Sequence, residues 1–395
     1  MSLLERHLHA LVEAGLEPTE ICIELPQGMP EVPVLPADLA SRLPLRWSRD
    51  GGHSQERLAR AVGRASGEPV IALEAESVVD ARLLRHLASD KAPAAVRGGE
   101  GVERAAVLRL SEAVPEGGAT DCRLPELADA GISAGTLTEV APGNVPDYIA
   151  NLRRTLPSYL FRVTDEASRD RAEEFLFWSN YKGSTDFFTK YVYPPLVWRT
   201  VHWLARRRVH PNVVTAFNVL ISLAAVPLFA GGHWVAGLSL AYTMSILDSV
   251  DGKLARLTFK ASELGNVLDH GLDLLHPPLW YFAWAWALGG GNTTAPVFEA
   301  AIWMAVFYFI DRLVVRMFTW RTERSVHAYT DLDVQLRTFI SRRNINVPIF
   351  TVALLIGVPS AAFQLILFWQ VATLAYHAVR LAQCWKDREP ARAAA

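Results

Sequence analysis

The sequence predicts an α-helical integral membrane domain with six transmembrane helices, preceded by a soluble α/β domain. Three observations carry this. First, averages of 51% hydrophobic residues and a net charge of -2 conceal two unlike halves. Charges are interspersed up to about residue 180, whereas after residue 210 long apolar runs alternate with short basic ones. Second, Lys and Arg gather in alternate turnarounds of the apolar half. Third, helical and extended patterns alternate from residue 1 to about 150, as in an α/β layer architecture.

In the front half, Leu3, Leu4, Leu8, Leu11 and Val12 recur at helical spacing over Ser2 to Ala14. ICIEL and PVIALEA read as strands, and SVVDARLLRHLA as the helix after the second. The Pro and Gly clusters ELPQGMPEVPVLP and VPEGG mark loops. Residues 146 to 180 read as a connecting helical region. The stretch NYKGSTDFFTKYVYPPLVWRTVHWLARRRVHPN mixes aromatic, aliphatic and basic residues in the manner of a helix lying in the membrane interface. The expected organisation is therefore a soluble α/β domain at 1–150, connecting and interfacial juxtamembrane helices at 151–210, the six-helix domain at 211–385 and a cytoplasmic tail at 386–395.

The six apolar segments fall at roughly 212–231, 233–258, 264–288, 296–320, 345–358 and 360–384, most near the ~20 residues needed to span. Arg206, Arg207 and Arg208 precede the first. Lys253, Arg256 and Lys260 flank the second turnaround, and Arg321, Arg324, Arg337, Arg342 and Arg343 the fourth. The turnarounds GGH, GGGNTTA and VPS carry no Lys or Arg. The positive-inside rule then places the basic loops and both termini in the cytoplasm. The amino terminus lacks the apolar core of a signal peptide, so the front domain is expected in the cytosol. Cys22, Cys122 and Cys384 match neither a zinc pattern nor a disulfide framework.

The second turnaround holds DSVDGKLARLTFKASELGNVLDHGLD. Asp248 and Asp251 are three residues apart, Asp269 and Asp273 four, so each pair shares a helical face. Carboxylates beside hydrocarbon are costly and mark function by default. A single one could be a helix cap, and a glycine here a packing contact. Four facing each other need a counter-charge, and oxygen-only ligation suits Mg²⁺ or Mn²⁺, with two ions expected and a phosphorylated substrate completing their shells. Gly252 and Ala255 leave room beside the backbone, Arg256 offers a planar fork for phosphate or carboxylate, and Gly265 permits close approach of a base or sugar.

These residues resemble the signature of the CDP-alcohol phosphotransferase (phosphatidyltransferase) family, Asp-x2-Asp-Gly-x2-Ala-Arg-x8-Gly-x3-Asp-x3-Asp. Every fixed position is matched, by Asp248, Asp251, Gly252, Ala255, Arg256, Gly265, Asp269 and Asp273. The resemblance covers about residues 180 to 385, including the six expected spans. It implies displacement of CMP from a CDP-linked donor, such as CDP-diacylglycerol or another CDP-alcohol, by an acceptor alcohol. It also implies a two-ion site held by Asp248, Asp251, Asp269 and Asp273, with Asp273 also the general base.

HPNVVT resembles the family's Pro-Asn-x-x-Thr element, which implies that Asn212 and Thr215 join Asp248, Gly252, Ala255, Arg256 and Gly265 around the nucleotide. Lys182 and Asp186 resemble an upstream Lys-x-x-x-Asp element. Arg316, Arg342, Arg343 and Asn344 fall at the cytoplasmic ends of later expected spans, and RRN followed by an apolar run resembles a segment of relatives with phosphorylated acceptors, although positive-inside anchoring also accounts for such arginines. Lys182, Arg316, Arg342, Arg343 and Asn344 are the acceptor-binding candidates, for an alcohol either free or phosphorylated.

LLERHLHALVEAGLEPTEICIEL and PVIALEAESVVDARLLRHL resemble segments of sugar-phosphate nucleotidyltransferases. No Gly-rich nucleotide loop is found ahead of the first helix, and Glu74-Ala75-Glu76 stands where that family has a metal-binding aspartate. A degenerate, non-catalytic domain is expected. The leading expectation is a membrane-embedded, metal-dependent transferase in phospholipid or inositol-phosphodiester synthesis, with membrane lipids around it, a homodimeric state implied by the family and no nucleic-acid partner. Its rivals are a bifunctional enzyme with an active cytidylyltransferase front domain, and an ion-coupled transporter.

Overall fold

The structure, a computed structural model, describes residues 1–26, 28–29, 31–117 and 122–386. The expected tail lies outside the described residues beyond its first position, as do residues 27, 30 and 118 of the two expected loops. The chain forms two compact units, Met1–Ile149 with Thr155–Ser179, and Ala150–Arg154 with the chain from Asn180 onward.

The first unit is built on a four-stranded sheet in the order Val70–Leu73, Ala105–Leu110, Ala94–Gly98, Thr138–Glu139. Its first three strands are antiparallel, and the last runs parallel to its neighbour. Successive side chains point to opposite faces of a strand. Ala94, Val96, Ala105 and Val107 accordingly enter one apolar cluster with Leu83, Leu84 and Leu87, while Ala95, Ala106 and Leu108 enter another with Leu127 and Ala128. Both faces are thus covered by helices, Ala81–Ser89 on one and Leu124–Ser133 on the other. A strand buried on both faces reads as a continuous apolar run, which is why AAVLRL shows no alternation.

The Leu3–Glu13 helix is as expected, its start held by a capping box between Ser2 and Glu5. Two expectations fail locally. SVVDARLLRHLA is not helical throughout. Ser77–Val79 is a strand, and Asp80 caps the Ala81–Ser89 helix by accepting from the Arg82 amide. β-Branched Val78 and Val79 pair antiparallel with Leu160–Arg162, so the region after 146 contains strand as well as the Glu166–Ser179 helix.

The second unit is helical. Pro194–Arg206 opens with two prolines in its first turn, where a missing N–H costs nothing. NYKGSTD ahead of it is irregular rather than helical, because its polar groups are bound to several other segments, as described below. Six helices follow: Pro211–Ala230, Trp234–Leu257, Glu263–Leu288, Pro296–Thr322, Arg343–Leu355 and Pro359–Lys386. They match the six expected segments, and the fifth begins earlier and is the shortest. Their core is aromatic: Phe229, Trp280, Trp284, Phe350 and Phe363 are all fully buried. Among the described residues two of these helices, Pro211–Ala230 and Pro359–Lys386, are long and apolar enough to cross a membrane.

Candidate active site

Every sequence-predicted site residue lines one cavity of about 900 Å³ in the second unit. Trp234–Leu257 supplies Asp248, Asp251, Gly252, Ala255 and Arg256. Glu263–Leu288 supplies Gly265, Asp269 and Asp273, and Pro211–Ala230 begins with Asn212 and Thr215. The carboxylates become more open along the chain from one helix to the next. Asp251 is 5% exposed, whereas the side chains of Asp248, Asp269 and Asp273 are 22%, 37% and 52% exposed.

Asp251 is held in place by local bonds. Thr215 Oγ1 donates to its Oδ2 at 2.9 Å, and the Gly252 amide donates to its Oδ1 at 2.6 Å. The start of the first long helix is tied to the turnaround in turn. Ser262 Oγ donates to Asn212 Oδ1 at 2.8 Å and accepts from the Gly265 amide at 3.0 Å. This gives Gly265 a specific reason: a Cβ there would lie 2.7 Å from Asn212 Oδ1. The space at Gly265 is filled by Asn212, whereas a Cβ at Gly252 would meet only the end of Arg256, at 3.4 Å. Gly265→Ala is therefore expected to push Asn212 away and raise the KM for a cytidine nucleotide donor at least ~10-fold, with little change in melting temperature. Steady-state kinetics of the purified variant check this, and an unchanged donor KM would refute it.

Arg343 lies between the two aspartate pairs. Its Nη2 donates to Asp248 Oδ2 at 2.9 Å and its Nη1 to Asp273 Oδ1 at 3.2 Å. The same Nη1 meets His276 Nε2 at 3.2 Å, while His276 Nδ1 lies 2.7 Å from the Leu272 carbonyl. A carbonyl can only accept and a guanidinium only donate, so the proton of His276 sits on Nδ1 and its Nε2 accepts. Asn344 donates to Asp186 Oδ2 at 3.1 Å and to Thr189 Oγ1 at 3.0 Å, so its amide is engaged in holding the upstream segment. Arg342 and Arg316 line the cavity, and burial together with the facing Arg312 pushes Arg342 down to about 10.

Sequence reasoning missed much of the wall made by the upstream segment. Asn180 receives Arg256 through both its side-chain oxygen, at 3.2 Å, and its carbonyl, at 3.4 Å. The Lys253 ammonium lies 3.7 Å from the Tyr181 ring centroid. Gly183 donates to the Leu152 carbonyl, and a Cβ on it would come within 2.5 Å of the Arg153 carbonyl. This irregular strap carries Lys182 into the cavity lining. His276 had a readable signal, three residues past Asp273 on the same face. Arg153, Arg312 and Arg337 had none, because their meeting is purely tertiary.

The donor set contains oxygen ligands only, which fits a hard divalent cation chemically. Among the described residues no group of three or more His, Cys, Asp or Glu stands in a ligating arrangement. Arg343 supplies the positive charge between Asp248 and Asp273 here.

Residues 208–382 match the family model described as CDP-alcohol phosphatidyltransferase, over the whole aspartate signature. Those residues form a CDP-alcohol phosphatidyltransferase domain. The chain is 31% identical to ethanolaminephosphotransferase 1 of Homo sapiens over a region covering 35% of the chain and 40% of that protein. It is 35% identical to archaetidylinositol phosphate synthase of Aeropyrum pernix, covering 20% and 41%. The chain thus spans about two fifths of the length of each. Mycobacterium tuberculosis phosphatidylinositol phosphate synthase with CDP-DAG bound aligns with a TM-score of 0.38 and 18% identity, over 52% of this chain and 98% of that one. The matched residues begin at the RRR turn and end within the last helix, so the strap and the first unit lie outside them.

Proposed function

We propose that this protein transfers a substituted phosphate group from a CDP-linked donor to an acceptor alcohol, releasing CMP, in phospholipid or inositol-phosphodiester synthesis. The observation that carries the reading is the convergence of all eight signature positions on one cavity, beside Asn212 and Thr215. The acceptor oxygen attacks the phosphorus distal to cytidine. Its proton passes to the Asp273 carboxylate, and the bond from that phosphorus to the bridging oxygen breaks, so CMP leaves with the electron pair. Asp273 suits the role of base because its side chain is the most open of the four.

Asp248, Asp251, Asp269 and Asp273 would hold two Mg²⁺ or Mn²⁺ ions, which offset charge on the diphosphate and on the leaving group. Asn212, Thr215 and Gly252 shape the nucleotide end, and Arg256, held by Asn180, presents its fork there. The six helices are read as spanning the bilayer with both termini and the cavity mouth cytoplasmic, and the protein as a homodimer. The first unit is read as non-catalytic and nucleotidyltransferase-like. Glu74 is bound by Arg123 at 2.9 Å and Glu76 is paired with Arg162.

Purified protein incubated with Mg²⁺ and CDP-diacylglycerol is expected to release CMP only when an acceptor is added. The acceptors tested are glycerol phosphate, inositol, inositol phosphate and serine. Absence of acceptor-dependent CMP with all of them, and also with CDP-ethanolamine and diacylglycerol, would refute the reading.

A further inference from the structure

Lys253 and Arg256 stand three residues apart on Trp234–Leu257, so they share one face of that helix, and both line the cavity. Lys253 is only 5% exposed. Its ammonium donates one long hydrogen bond, to the Ser249 carbonyl at 3.4 Å, and lies over the Tyr181 ring, 3.7 Å from the centroid. Among the described residues it forms no ion pair; Asp248 and Asp251 are within electrostatic reach, and so are the like charges of Arg256 and Lys182. Arg256 gives Nε and Nη2 to Asn180, which leaves Nη1 beside Gly252, where a Cβ would meet it at 3.4 Å.

A buried ammonium that holds only an aromatic face and one carbonyl has lost more hydration than it recovers, and an anion entering the cavity removes that cost. Position says which anion. Gly252 belongs to the same face, four residues before Arg256, and the helix start that carries Asn212 and Thr215 reaches this helix through the Thr215 bond to Asp251. Both cations therefore belong to the nucleotide end, away from the carboxylate that takes the acceptor's proton. A phosphate still carrying cytidine offers charged oxygens to an ammonium and a guanidinium at once. The strap in turn fixes the two holding groups: the Gly183 amide donates to the Leu152 carbonyl at 2.8 Å, and Arg154 Nη1 donates to the Tyr181 carbonyl at 3.3 Å. The strap lies ahead of the matched residues 208–382, and Lys253 fills a position that the signature leaves open.

We infer that Asn180 and Tyr181 are positioning residues that aim Arg256 and Lys253 at the phosphate that leaves with cytidine. This rests on the transferase reading above and adds a ligand-binding role for Lys253. The leaving phosphate gains negative charge as its bond to the transferred phosphorus breaks, and two cations already aimed at it offset that charge without having to move.

The test assays the full chain with CDP-diacylglycerol, Mg²⁺ and the acceptor that supports CMP release. Tyr181→Leu and Asn180→Ala are each expected to lower kcat/KM for the donor roughly 10-fold or more and to leave the acceptor KM unchanged, whereas Tyr181→Phe, which keeps the ring face, stays within about 3-fold of the wild type. Tyr181→Leu placed on Lys253→Met should add little to the loss from Lys253→Met alone, because the ring acts through that ammonium. Asn180→Ala and Tyr181→Phe carry the comparison if Tyr181→Leu fails to fold. A Phe variant as weak as the Leu variant, full additivity of Tyr181→Leu and Lys253→Met, unchanged donor kinetics in Asn180→Ala, or a rise in acceptor KM would overturn the inference and leave the transferase reading intact. If no acceptor releases CMP, the transferase reading fails, and calorimetry with CMP and Mg²⁺ decides the inference. CMP binding that is weakened in Tyr181→Leu and Asn180→Ala but kept in Tyr181→Phe supports it, and no binding to the wild type, or equal binding to all of them, overturns it.

Discussion

Asp273→Asn is expected to abolish acceptor-dependent CMP release, lowering kcat by about 10²- to 10⁴-fold, the range of a positioned general base. The amide keeps the shape of the carboxylate and can still accept from Arg343, and Asp248 retains its own bond to that arginine. The side chain is half exposed, so no buried charge is left unpaired and the melting temperature should change little. The loss therefore belongs to chemistry rather than to folding. Measuring kcat together with donor affinity separates the two, since a donor that still binds but is not consumed identifies the missing base. Retention of more than a tenth of the wild-type rate would move the base elsewhere, and donor-independent flux across vesicles would revive the transporter reading.

The second large effect is on stability. Trp284 is fully buried where helices meet, stacked on Phe350 with ring centroids 4.1 Å apart and an interplanar angle of 6°. It also meets Phe229 edge-on at 5.5 Å and Phe363 at 6.3 Å, so one side chain joins Pro211–Ala230, Arg343–Leu355 and Pro359–Lys386 to its own helix. Trp284→Ala opens a cavity among all of them and is expected to cost about 3 to 5 kcal/mol. The indole N–H has no partner, so Trp284→Phe, which keeps the stack and removes that N–H, should cost less than about 1.5 kcal/mol. Thermal unfolding in detergent of the two variants distinguishes stacking from mere bulk, and equal losses would sink the argument. Arg343 and its neighbours begin the helix that Phe350 anchors, so Trp284→Ala should also weaken the active site at temperatures where the chain is still folded.

The six helices and the aspartate signature were legible because their information is local. A run of apolar residues, a fixed offset between acids and a glycine turnaround all act within a few residues of each other. The strand at Ser77–Val79 was not legible, because its partner Leu160–Arg162 lies some eighty residues away and pairing overrides a helical pattern. The strap at Asn180 to Asp186 was misread as helix for the same reason. Its conformation is set by Arg256, Asn344 and the Leu152 carbonyl, and each comes from a different part of the chain. Gly265 was read as room for a substrate, but the structure fills that room with Asn212.

Read alone, the chain indicates where the helices lie, since apolar runs and the Gly and Pro residues that punctuate them are local signals, and it sets eight residues at spacings that point to one site. Only the tertiary structure decided that Arg343 bridges the two aspartate pairs and that four arginines from separate segments meet at one wall. Such meetings depend on how helices pack and where loops return. Like charges come together only when the fold's other contacts outweigh their repulsion, and no local pattern in a chain announces that balance.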